Sequence, residues 1–360
     1  MNTAPSLRVL THRDTDLHAA YCDYVAQVFT QADFRRWCEW GQWSEDYLAF
    51  CLFHDGRVVA NVSAMRMRLV IEGAQVDGWQ FGAVGCLPEL RGRGLARAAM
   101  QAALAHCGDA PILLFANERV LDFYPRFGFA PAPQSLFALD WLAHPGPTQA
   151  PVLDLADPSG RAAFLRAAAS ARPVSQRFGA RDYGRIATWY AANGYASPLR
   201  RLDEDVWVFA QTEDAVLTIE DVFAAAPVDW PAAIERLIDQ PIRELRFGFT
   251  PQRDWPQARV LGEEADAGLF VPIWRQSRCR ADFRCWRGPE SGRRAGCRGR
   301  GPGGCGRRGN RRAGRSDRGE ALAGLLFVLL GALFLHGLCR FLLGFLLAVH
   351  ALAHDVFLAG

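Results

Sequence analysis

This chain of 360 residues contains no lysine; all 41 of its basic residues are arginines. Without lysine there is no phosphate loop of the Gly-x-x-x-x-Gly-Lys-Ser/Thr type, whose lysine reaches the terminal phosphates of a nucleotide. No two of the 10 cysteines stand as a Cys-x-x-Cys pair. Cys279, Cys285, Cys297 and Cys305 therefore lack the spacing of a zinc site, and no metal is expected. Met1 to Asp16 is polar with no apolar core segment, so a secretory signal is missing and a cytoplasmic protein is expected. Cys22, Cys38, Cys51, Cys86 and Cys107 fall mostly within apolar stretches and read as buried free thiols of a reducing compartment.

The charge is unevenly distributed. Residues 1–274 hold 25 arginines against 33 acidic residues, and residues 275–360 hold 16 against 5. This break marks a compositional boundary near Trp274. Residues 275–320 are rich in arginine, glycine and cysteine and read as disordered. Residues 321–349 are almost purely apolar, broken by His336 and Arg340. Three readings fit this tail. A membrane anchor would have enough length, with its arginine-rich flank on the cytoplasmic side. A basic arm could bind nucleic acid without sequence specificity. Translation of a GC-rich gene in a shifted frame would also give arginine, glycine, alanine and cysteine, and composition favours this third reading.

The most informative segment is Val84 to Arg97, Val-Gly-Cys-Leu-Pro-Glu-Leu-Arg-Gly-Arg-Gly-Leu-Ala-Arg. It reads as a buried strand, a proline, and a basic glycine-rich loop that opens a helix. Backbone N–H groups at Gly92 and Gly94 can converge on one anion, the helix N-terminus adds its positive end, and Arg91 and Arg93 add charge-assisted contacts. This is a pyrophosphate cradle. About twenty residues later the apolar strand Pro111 to Ala116 leads into Asn117 and then Phe123-Tyr124-Pro125-Arg126-Phe127-Gly128-Phe129.

Arg91-x-x-Gly94-x-Ala96 resembles the Arg/Gln-x-x-Gly-x-Gly/Ala loop of the GNAT acetyltransferase superfamily. The Asn…Phe-Tyr-x-x-x-Gly-Phe stretch resembles that superfamily's second signature. The resemblance implies an α/β (α+β) fold around a central mixed, splayed sheet, with acetyl-CoA as cosubstrate and no metal. It implies that Gly85, Cys86 and Leu87 line an open strand edge for the pantetheine amides. Arg91, Gly92, Arg93, Gly94, Leu95 and Ala96 would hold the pyrophosphate, and Tyr124 would place its hydroxyl at the CoA sulfur. The alternative for Tyr124 is packing as one more core aromatic beside Phe123, Phe127 and Phe129, and the motif favours the role at the sulfur. Asn117 binds cofactor or caps the tyrosine helix, and both roles stay open. Cys86 has no histidine near it in sequence and reads as a structural thiol.

Along the chain, residues 1–142 read as the first α/β unit, with Ser135 to Trp141 as its last strand. Residues 143–151 are a proline-rich linker. Residues 152–274 form a second, smaller α/β unit without the loop, and Leu269 to Val271 is its final strand. This pairing resembles the tandem GNAT arrangement of the enhanced-intracellular-survival acetyltransferases. In those enzymes the C-terminal carboxylate serves as general base. Here Gly360 stands beyond the arginine-rich tail, so the resemblance supplies no base; Glu45, His54, Glu72 and Asp77 are the options left by sequence. Trp189 to Tyr195 echoes the tyrosine signature but reads as a helix end capped at Gly194.

The expected function is transfer of an acetyl group from acetyl-CoA to a primary amine of a small molecule or peptide. The acidic balance of residues 1–274 favours a cationic acceptor. The alternative is a non-catalytic acyl-CoA-binding or regulatory module, tethered to a membrane if residues 321–349 are an anchor. Sequence is silent on oligomeric state.

Overall fold

The computed structural model describes residues 4–29, 32–116, 120–264 and 269–272. Asn117 and the whole of residues 275–360 lie outside the described residues, as do the readings that concern them. Among the described residues no helix is long and apolar enough to cross a membrane.

β1 (Ser6–Leu10), α1 (Thr15–Val28) and α2 (Arg35–Glu39) precede a meander of β2 (Tyr47–His54), β3 (Arg57–Ile71) and β4 (Ala74–Cys86). α3 (Leu95–Cys107), β5 (Ile112–Phe115), β6 (Phe129–Pro131) and β7 (Gln134–Ala143) come next. The later part contributes α4 (Pro158–Ser170), β8 (Phe178–Arg181), α5 (Gly184–Ala192), β9 (Leu199–Asp203), β10 (Val206–Glu213) and β11 (Val216–Ala224). It closes with α6 (Trp230–Leu237), β12 (Ile242–Phe247), β13 (Arg259–Glu264) and β14 (Leu269–Pro272). Tight turns at His54-Asp55-Gly56 and Glu72-Gly73 are set by left-handed residues, Gly56 at φ 76° and Gly73 at φ 80°.

Two mixed sheets result. The first runs β1-β2-β3-β4-β5-β14-β6, and β8 pairs with the far end of β3, at residues 68–71. The second runs β13-β7-β12-β11-β10-β9. The sheets exchange strands. β7, expected to close the first unit, pairs with β12 and β13 in the second sheet. β14, expected to close the second unit, lies in the first sheet between β5 and β6. A short alternating strand carries no mark of which sheet it joins. Pro131 and Pro133 flank the exit from β6, and prolines cannot donate to a ladder, so the chain leaves the first sheet there. The gap beside β5 is then filled from far along the sequence, with Leu269 buried in it.

The first sheet is covered on both faces. α1, α2 and α5 pack on one face with Tyr21, Trp37 and Trp189 in the core. α3 packs on the other face through Ala99, Met100 and Ala103. The stretch expected to be a linker is tied along α6: Gly146 and Ala150 donate their N–H groups to the carbonyls of Glu235 and Arg236 at 2.8 Å each.

Candidate active site

β4 and β5 are parallel and paired only from Trp79 to Phe81 and from Ile112 to Leu114. From Gly82 onward the two strands separate, so the edge of β4 facing β5 has no strand partner there among the described residues. The departure coincides with a bulge. Ser63 of β3 stands opposite Gly82 and Asn61 opposite Gly85, which sets Ala83 and Val84 together against Val62. Ala83 takes φ 47°, an uncommon conformation for a residue with a side chain. Buried Asn61 holds it: its Nδ2 donates to the Ala83 carbonyl and to Ser63 Oγ, both at 2.9 Å. Gly85 is sterically required, since a Cβ there would lie 2.7 Å from Val28 Cγ1 on α1. α1 therefore packs directly on the strand at the splay.

The chain then turns through a short 3-10 segment, Pro88–Leu90, with Leu87 buried beneath it. Gly92 has φ 77° and Gly94 φ 79°, and both have open space where a side chain would be. Gly94 is the N-cap of α3, and among the described residues no side chain caps that helix. The N–H groups of its first turn are therefore available to an anion. Arg91 and Arg93 are exposed beside them. Gly85, Cys86, Leu87 and Arg91 through Ala96 thus form one continuous path from the open strand edge to the helix N-terminus. Cys86 is buried, and burial raises its thiol pKa against the opposing pull of Arg91. That fits a structural thiol.

Tyr124 opens a 3-10 turn, Tyr124–Phe127, which ends at left-handed Gly128. It is buried in the cluster that also holds Leu114, Ala116 and Phe129. Its ring meets Phe123 at 5.4 Å and Phe129 at 6.3 Å, both edge-on. Burial raises the phenol pKa well above its ordinary value, so the hydroxyl keeps its proton at neutral pH. Tyr124 thus lies in the core cluster on the α3 side of the sheet, together with Leu114 and Ala116 at the end of β5, and it is not among the side chains that line the cleft.

Residues 6–132 match the sequence profile of the acetyltransferase (GNAT) domain. This part of the chain is a GNAT domain. None of the curated proteins matches the sequence. Among solved structures the chain is similar to a conserved protein from Enterococcus faecalis V583, at 15% identity over 75% of this chain and 72% of that one, with a TM-score of 0.49. It is similar to Eis1 from Mycobacterium abscessus, at 18% identity over 74% and 73%, with a TM-score of 0.45. It is also similar to a GCN5-related N-acetyltransferase from Kribbella flavida, at 17% identity over 74% and 71%, with a TM-score of 0.44.

An open cleft, with about 590 Å³ of empty space that includes open solvent, adjoins the splay of the GNAT domain. Gln80 to Ala83 of β4 and Phe115 of β5 form its floor, with Tyr47 and Met65 from β2 and β3. Phe29, Ala32 and Phe34 border it from the α1–α2 connection, and Ile186, Trp189 and Tyr190 of α5 form the remaining wall. Gln80 Nε2 donates to Tyr190 Oη at 3.0 Å across the cleft. Behind Tyr47, the hydroxyls of Tyr47, Tyr21 and Ser63 are linked at 2.6 and 3.0 Å and lead to Asn61. None of Glu45, His54, Glu72 or Asp77 lines the cleft. Glu72 pairs with Arg177 and Asp77 with Arg66.

The sequence did not reveal the cleft residues because they come from six separated segments. The one available signal was Trp189-Tyr190. Its aromatic pair sits on a helix end, with Gly194 left-handed at φ 71° as expected, but it also supplies a wall of the site.

Proposed function

We propose that the protein is an acetyl-CoA-dependent N-acetyltransferase that acts on a primary amine of a small molecule or peptide. Acyl transfer is the general activity of the GNAT family. One observation carries the finer reading: an uncapped helix N-terminus with two left-handed glycines continues directly into an unpaired strand edge. The first suits a pyrophosphate and the second suits a chain of amides. When bound, acetyl-CoA supplies an activated acetyl thioester.

The chain's residues then have distinct tasks. Arg91, Gly92, Arg93, Gly94, Leu95 and Ala96 hold the pyrophosphate. Main-chain groups of Gly85, Cys86 and Leu87 hold the pantetheine amides and fix the thioester at the Ala83 bulge. The cleft on the α1, α2 and α5 face positions the amine in line with it. Tyr124 holds a proton on its hydroxyl for the departing sulfur.

Replacing Tyr124 by phenylalanine tests this assignment. Acetyl-CoA affinity is expected to stay the same, while turnover falls about 100-fold, the usual scale for loss of a general acid. Full turnover in Tyr124→Phe returns that side chain to a packing role. CoA release no faster than in buffer with every amine supports the acyl-CoA-binding module instead.

A further inference from the structure

We propose that the acceptor carries its amine on a neutral aromatic body, as a primary arylalkylamine does, and is not a polycation. This deepens the acyl-transfer reading and rests on it.

The evidence is the chemistry of the cleft. Its described lining contains no charged side chain. Three carboxylates on the segments that form it are already paired with arginines. Asp33 meets Arg35 at 3.4 Å and Asp77 meets Arg66 at 2.8 Å, and Asp182, just ahead of α5, bonds to Arg68. A second ammonium lying against this lining would give up water without gaining a counter-charge, which is costly. The reacting amine is different, because it must shed its proton in order to attack.

The wall also selects for rings. Phe34 and Trp189 lie 5.1 Å apart, and Trp189 meets Tyr190 at 5.2 Å and Tyr195 at 5.7 Å. These rings are packed against one another, so they form a continuous aromatic surface and not a cage of free faces around a cation. A ring entering from the splay would extend the cluster through offset or edge contacts. The Gln80–Tyr190 pair adds a polar spot to this wall. The acidic balance of residues 1–274 acts at long range and brings any amine toward the protein. The cleft acts at contact and decides which body is retained.

Calorimetric titration of phenethylamine and of spermidine into the full chain, with coenzyme A present, tests the proposal. Phenethylamine is expected to bind at least tenfold more tightly. Trp189→Ala should weaken phenethylamine at least tenfold while leaving acetyl-CoA affinity unchanged. Gln80→Glu, nearly isosteric, should shift the preference toward spermidine by a similar factor. Spermidine binding as tightly as phenethylamine, no phenethylamine binding at all, or indifference to both substitutions overturns the proposal. Phenethylamine binding by a chain that does not bind acetyl-CoA leaves the cleft assignment standing and overturns the acyl-transfer reading instead.

Discussion

The Tyr183 hydroxyl lies between the two carboxylate oxygens of Asp221, 2.8 and 2.7 Å away. Tyr183 is the N-cap residue of α5, and Asp221 is buried in β11 of the second sheet. The contact therefore fixes to that sheet the helix that walls the cleft.

Burial pushes the pKa of Asp221 up to about 7, with the hydrogen bonds from Tyr183 and the Val222 N–H opposing it. A carboxyl whose folded pKa is raised binds its proton more tightly in the folded state. Its stabilising contribution is complete below the unfolded value of 3.8 and is lost as pH rises to about 7. Urea denaturation of the full chain should show stability falling between about pH 4 and pH 7. Asp221→Asn should flatten that slope. An unchanged slope in the variant contradicts the assignment.

Asn61→Ala should destabilise the protein by about 2 kcal/mol, since it leaves the Ala83 carbonyl and Ser63 Oγ short of a buried donor. It should also weaken acetyl-CoA binding, because the Ala83 bulge would lose its brace. Denaturant midpoints and calorimetry measure the two effects separately. A stable variant with normal affinity means that the bulge stands without Asn61.

A chain ending after Glu264 lacks β14, which bridges β5 and β6. Such a chain should lose cofactor binding and show a lower thermal midpoint, whereas one ending after Trp274 should retain both. Equal behaviour of the two truncations contradicts the placement of β14 in the first sheet.

The elements around the glycine-rich loop were legible in the sequence because their signals are local. The Arg91-to-Ala96 loop, the strand before it and α3 all lie on one stretch of chain, and their chemistry follows from adjacency. Strand membership was not legible. The patterns of Gln134–Ala143 and Leu269–Pro272 say that each is a strand but not which edge it will find, and both cross to the other sheet. The Ala83 bulge was hidden for a related reason, since its cause is Asn61 on the neighbouring strand. Likewise, no charge count over residues 1–274 could show a cleft with an uncharged described lining. That property depends on which side chains meet after folding, and on arginines such as Arg35, Arg66 and Arg68 that engage nearby carboxylates.

The central claim is that the segment from Gly85 to Ala96 binds acetyl-CoA. Calorimetric titration of acetyl-CoA into the full chain and into Gly94→Asp tests it most directly. The substitution strains a left-handed position and sets a carboxylate beside the expected pyrophosphate. Saturable binding by the native chain, lost in a folded Gly94→Asp variant, is the predicted result. Equal affinity in the two proteins, or no binding by the native chain, contradicts it.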